Sequence, residues 1–120
     1  MKGHVDATHR ALMDVAIRGE RSADPVMTTT WIDTAFNGCL VFPRRLIEDL
    51  RLVQQAETDA ILADGSRVTL KSYVCFVEWF GKTVAAQVIA NEGSLPLLGT
   101  ELLIDRRLLV DYAQRTVEIS

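Results

Sequence analysis

A chain of 120 residues in which 48% are hydrophobic is long enough for one core and too short for two, and folding would hide roughly two-thirds of its unfolded surface. A net charge of −3, with Arg44-Arg45 and Arg106-Arg107 as the only basic doublets, argues against nucleic acid or an anionic membrane as the main partner. No apolar run approaches a membrane span and Met1–Asp6 lacks the hydrophobic stretch of a signal peptide, so a cytoplasmic protein without membrane contact is expected.

Met1–Thr8 is polar, with a short edge strand expected around Gly3–Asp6. Between Ala11 and Arg18 the apolar positions Leu12, Val15 and Ile17 suit helix and strand about equally. Gly19 and the charged loop to Pro25 then tip the segment toward a hairpin strand. Pro25–Ile32 is dense in β-branched residues and reads as the strand that delivers Asp33. After a turn, Cys39–Phe42 forms another strand, and Pro43 fits the first position of a helix that places Leu46, Ile47 and Leu50 on one face and ends near Leu52.

Gln54–Leu62 and Val68–Phe80 flank Ala63-Asp64-Gly65-Ser66, where Asp-Gly signals a hairpin turn. Gly81-Lys82 marks a further turn before the strand Thr83–Ala90, and Asn91–Ser94 is a loop. The neighbours Trp79 and Phe80 fit core or interface packing better than a ligand platform. Leu95–Leu98 leads into a glycine turn, and Thr100 is placed to cap a short helix through Leu103 or Ile104. Leu108–Tyr112 and Arg115–Ile119 end the chain as two short strands. About nine strands with turn signals every eight to twelve residues predict an all-β, barrel-like fold with one or two short helices, in one domain spanning residues 1–120.

Cys39 and Cys75 lie apart in apolar, strand-like contexts, which predicts buried reduced thiols. His4 and His9 stand near the N-terminus without ligand spacing, so surface histidines are expected, with no metal and no cofactor.

The stretch Thr30–Pro43 carries the chemistry. Asp33 is its only acid, set between apolar strands and followed by a hydroxyl residue, a small residue and Asn37-Gly38. Such a place is costly for a charge that has no task. A structural alternative is an Asx-type turn in which Asp33 bonds its own backbone.

Ile32-Asp33-Thr34-Ala35 with Asn37-Gly38, and some sixty residues later Leu97-Leu98-Gly99 before Thr100-Glu101-Leu102-Leu103, resembles the retropepsin-like aspartic proteases. The likeness is nearest the small prokaryotic stand-alone members, also through Gly3-His4-Val5, Arg10-Ala11-Leu12 and Leu40-Val41-Phe42-Pro43, and it covers nearly the whole chain. One departure is that Ala35 stands where the family usually has glycine. The resemblance implies a closed acid-protease β-barrel in which Asp33 is the catalytic acid. Thr34, Ala35, Asn37, Gly38, Leu98 and Gly99 would support its loop, Asn37-Gly38 supplying a left-handed turn residue. The Leu62, Ala63, Asp64, Gly65, Ser66 hairpin, up to Arg67, would be a flap over bound peptide; without the resemblance it is an ordinary surface hairpin.

Peptide hydrolysis by this chemistry takes two adjacent carboxylates, one ionised to accept a proton from water and one protonated to donate to the scissile carbonyl. No second loop of this kind exists: Asp49, Asp59, Asp64, Asp105 and Asp111 lack the apolar strand before and the hydroxyl and small residues after. The second acid would come from another copy, making the protein an isologous homodimer. By the same resemblance, Thr34 hydroxyls would bond across the axis, and the terminal strands of both copies would share a sheet. The expected function is an aspartic endopeptidase acting on peptide or protein. The alternatives are a dimer of the same fold that binds peptide with little or no catalysis, signalled by Ala35, and an unrelated β-barrel binding module.

Overall fold

In the computed structural model, residues 1–61 and 64–120 are described. The strands are β1 (Lys2–Val5), β2 (Ala11–Arg18), β3 (Val26–Ile32), β4 (Leu40–Pro43), β5 (Val53–Ile61), β6 (Arg67–Trp79), β7 (Lys82–Asn91), β8 (Leu97–Leu98), β9 (Leu108–Asp111) and β10 (Thr116–Ile119). Helix α1 (Arg44–Leu50) follows β4, and a single 3-10 turn occupies Thr100–Leu103. The architecture is mostly β, at 54% strand against 9% helix.

All ten strands join one sheet in the order β5-β6-β7-β4-β8-β3-β2-β1-β10-β9. A further pairing of β2 with β6, through Ile17–Val77 and Arg18–Phe76, folds the sheet onto itself. The two-residue alternation of a strand explains what lies inside. Met13, Val15 and Ile17 of β2 are almost fully buried while Asp14 between them faces out. On β3, Thr28, Thr30 and Ile32 point inward and Met27, Thr29 and Trp31 outward. Each buried Val, Ile or Met side chain contributes on the order of 1.5–3 kcal/mol. The buried Thr30 hydroxyl avoids a desolvation cost by donating to the Met13 carbonyl at 2.8 Å.

Helix α1 turns Ile47 into the core, with Leu46 and Leu50 packed at its margin. It stops at Leu50 because Arg51 adopts the left-handed conformation (φ 54°) and closes the helix with its own N–H. Pro43 is the last residue of β4 and the helix N-cap (φ −55°, ψ 145°), so the helix begins at Arg44, one residue later than expected. The 3-10 turn is capped by Gly99 and not by Thr100. The β6–β7 hairpin turns on Phe80-Gly81, both at positive φ (50° and 79°), as a two-residue turn matching strand twist requires. Trp79 is buried against Phe80 edge-on at 5.3 Å, which makes this aromatic pair a packing unit. Cys75 is buried and Cys39 half-buried as free thiols; burial pushes the Cys75 thiol up to about 12 and that of Cys39 upward as well.

Two expectations about the chain ends are corrected. β1 is not an edge strand, because it lies between β2 and β10. β10 in turn lies between β1 and β9 of the same chain, so both its edges are occupied within the chain, where the expectation had a partner's terminal strand. The edge at this end of the sheet is β9, with Leu109 exposed beside Tyr112.

The β1–β2 loop is held by Asp6, whose carboxylate accepts the Arg10 N–H and Nε, the Thr8 N–H and the Thr8 hydroxyl at 2.8–3.0 Å. These donors, the Arg10 backbone amide foremost, hold its carboxyl well below the usual 3.8. A depressed carboxyl stabilises the fold above its unfolded value, and that contribution is lost as pH falls toward the folded one. Asp6→Asn is therefore expected to lower Tm at pH 7. The gap to the parent should narrow as pH drops below 3.8, which thermal denaturation across pH reads directly.

Candidate active site

The Asp33 loop is built between β3 and β4 and rests on β8. Trp31 and Ile32 run parallel to Leu97 and Leu98, and the Asp33 N–H donates to the Leu98 carbonyl at 2.9 Å. Past that point the strand pattern ends, and the Phe36 N–H turns back to the Asp33 carbonyl at 3.2 Å. The chain after β8 then threads beneath the loop. Gly99 N–H donates to the Cys39 carbonyl (2.8 Å), Thr100 N–H and hydroxyl to the Phe36 carbonyl (2.8 and 3.2 Å), and Glu101 N–H to the Gly38 carbonyl (3.2 Å).

Gly99 is dictated by that closeness. A methyl there would collide with the Gly38 carbonyl oxygen, meet the Phe36 ring at 2.5 Å and stand 2.8 Å from the Phe36 carbonyl oxygen. Asn37-Gly38 was expected to provide a left-handed residue, and neither has positive φ. A Cβ at Gly38 would meet the Phe36 ring, 3.0 Å from Cε1, a contact that this half-buried side chain can relieve by turning.

Asp33 itself is half-buried, with Thr34 and Ala35 exposed beside it. Its Oδ1 accepts the Ala35 N–H at 3.0 Å, so the Asx-type bond to its own backbone is present. Among the described residues Oδ2 has no hydrogen-bond partner. One oxygen is thus oriented by the loop, and the other is unengaged. Ala35 lies outside the positive-φ region, so its methyl imposes no backbone strain.

Asp33, Thr34 and Ala35 line a cavity of about 300 Å³ with Trp31, Ile32 and Leu97. Trp31, two residues before the acid, shares its side of the strand, 40% exposed, with the Arg10 guanidinium 5.7 Å over its ring. The strand alternation could have assigned Trp31 to the site; the position of Arg10 depends on the β1–β2 loop and carries no sequence signal. Leu98, Gly99, Asn37 and Gly38 all fall at the loop. Of the residues expected to form a flap, Leu62 and Ala63 lie outside the described residues. Asp64, Gly65 and Ser66 form the β5–β6 turn, with Gly65 at φ 85° and Asp64 Oδ1 accepting the Ser66 N–H and hydroxyl. Among the described residues no group of His, Cys, Asp and Glu is arranged to hold a metal ion, and no helix is long and apolar enough to cross a membrane.

No family model matches the sequence, and no curated protein matches it. Solved structures do. The chain is similar to a retropepsin-like aspartic protease from Rickettsia conorii, with a TM-score of 0.63 and 11% identity over 98% of this chain and 86% of that one. It is also similar to the EIAV protease solved in complex with an inhibitor, with a TM-score of 0.57 and 17% identity over 83% of this chain and 90% of that one. The fold is therefore retropepsin-like.

Gly99→Ala is expected to cost about 1–3 kcal/mol, since the methyl meets backbone that cannot move without breaking the bonds just described. Urea denaturation reads the loss. Ala35→Gly, at an exposed position without positive φ, should lower stability by only about 0.4–1 kcal/mol through added freedom in the unfolded chain.

Proposed function

We propose that this chain is an aspartic endopeptidase that works as a homodimer, each copy contributing Asp33. The observation that carries the reading is the Asp33 carboxylate itself. It is half-buried at an apolar cavity, has one oxygen held by the Ala35 amide and the other unengaged, and sits on a loop pinned from beneath by Leu98–Glu101. The similarity to retropepsin-like structures supports the kind of chemistry.

A lone carboxylate can act as base or as acid but not as both at once, and amide hydrolysis asks for both. Two Asp33 loops meeting on a two-fold axis would share one proton, because like charges at such separation disfavour double ionisation. The ionised member takes a proton from water, the water oxygen attacks the scissile carbonyl, and the protonated member donates to the carbonyl oxygen. Collapse of the tetrahedral intermediate releases the amine as it gains a proton from the pair, with no covalent enzyme intermediate.

Exposed Thr34 and Ala35 leave this loop open to a second copy, and Thr34 hydroxyls would bond across the axis. With β10 fully paired within its chain, the contact between copies would fall on the loop and on the open edge of β9. The 64–66 turn, at the end of the long β5–β6 hairpin, would close over the bound peptide. Trp31 and Leu97 would receive an apolar side chain beside the cleaved bond. We place the protein in the cytoplasm, as one domain acting without metal or cofactor.

Cleavage of a diverse peptide library by the purified protein should appear only at concentrations where sedimentation shows a dimer. Asp33→Asn should lower kcat by at least about 10³, the scale on which removing an essential acid or base acts, while leaving Tm and dimerisation intact. Equal cleavage by parent and variant would sink the assignment. A folded, dimeric parent that binds peptides and cleaves none would favour the binding module instead.

A further inference from the structure

β3 is paired with β2 from Val26 to Trp31, but on its other edge only Trp31 and Ile32 meet β8. The hydrogen bonds fix which backbone groups face that edge. Trp31 N–H donates to the Pro96 carbonyl at 2.8 Å and Asp33 N–H to the Leu98 carbonyl at 2.9 Å, so odd-numbered residues turn their N–H and C=O toward β8. Met27 and Thr29 point theirs the same way, and among the described residues no strand pairs with them. The next rung would need an amide hydrogen at position 96, and Pro96 has none.

Where a neighbouring strand would lie there is instead a cavity of about 560 Å³. Its lining includes Met27 and Thr29 of β3, Arg45, Leu46 and Asp49 of α1, and Ser94 and Pro96 from the stretch before β8. Met27 is 66% exposed. The lining is largely apolar, yet along one wall runs a row of unpaired backbone donors and acceptors. Only an extended backbone presents both partners at the strand repeat, which is how a peptide adds to a sheet edge. The cavity also borders the Asp33 pocket, because Thr29 and Pro96 line one while Trp31 and Leu97 line the other.

We propose that this slot takes an extended segment of the polypeptide substrate as an added strand on the β3 edge, apart from the residues being cleaved. The assignment to substrate rests on the peptidase reading above; the addition of a strand does not. Bound this way, a long unfolded chain is held at two places and its scissile segment gains effective concentration at Asp33.

The test separates the two parts. Isotope-labelled Asp33→Asn protein is titrated with an end-capped hexapeptide of alternating threonine and valine, and with the same peptide N-methylated at alternate residues. Amide shifts are expected at Met27, Thr29 and Ser94, with roughly tenfold weaker binding for the methylated peptide, the scale of one or two lost backbone bonds, and a loss of similar size for a Met27→Lys background, which puts a charge in place of apolar lining. Shifts confined to Trp31–Ala35 and Leu97, equal binding of the methylated peptide, or no binding at all would overturn strand addition. In the active parent, Met27→Lys should raise KM for a long unfolded protein chain relative to KM for a short peptide by a similar factor. An unchanged ratio would overturn the assignment to substrate. Shifts at the slot in a protein whose parent cleaves nothing would sink the peptidase reading alone.

Discussion

The candidate site depends on one interlock: the segment Leu98–Glu101 passing beneath Asp33–Cys39. Three carbonyls of the Asp33 loop are met by N–H groups of that segment: Cys39 by Gly99, Phe36 by Thr100, and Gly38 by Glu101. Without these donors the three carbonyls would have to find partners in water, and the loop would lose its tie to β8. The same contact requires a residue without a side chain at position 99. A requirement of chain packing and a requirement of the acid's placement are therefore met by one glycine.

That arrangement decides what Asp33 can do. Its own loop supplies a donor to one oxygen, while the support from β8 fixes the backbone on which the acid stands. A carboxylate so placed can be oriented without being neutralised, because among the described residues no cation pairs with it. Arg10 bonds instead to Asp6 and lies over the Trp31 ring. The charge of Asp33 is left to be balanced by whatever approaches the open face, which a second identical acid sharing a proton would do. Ala35 in place of glycine does not disturb this, since the backbone there is one that any L-residue adopts.

Most strands were legible because their signal is local: β-branched runs bounded by glycine, proline or Asp-Gly, with alternation that places Met13, Val15 and Ile17 inside. The Asp33 and Gly99 loops were legible as a spaced pair of motifs. What could not be read was whatever depends on which strands meet. Nothing in Val117-Glu118-Ile119 says whether it pairs with its own β1 or with a partner's strand, since both choices bury the same face. Asn37-Gly38 carries a strong turn signal, yet the loop turns without a positive φ at either residue, its carbonyls being held by the Gly99 segment. The cap of the 3-10 turn moved from Thr100 to Gly99, because the Thr100 hydroxyl is spent on the Phe36 carbonyl.

The free edge of β3 shows how one proline can leave a sheet incomplete without leaving it sticky. An unpaired strand edge in solvent invites the edge of another folded copy. Here the edge faces α1 across a slot, and the Arg44–Glu92 ion pair at 2.9 Å ties that helix to the loop preceding β8. An exposed pair of this kind adds little stability, but it sits where a second sheet would have to enter. A single extended chain would bring only its own backbone and alternate side chains to the row of unpaired groups on β3, which is why that occupant, and not a folded edge, is the one proposed for the slot.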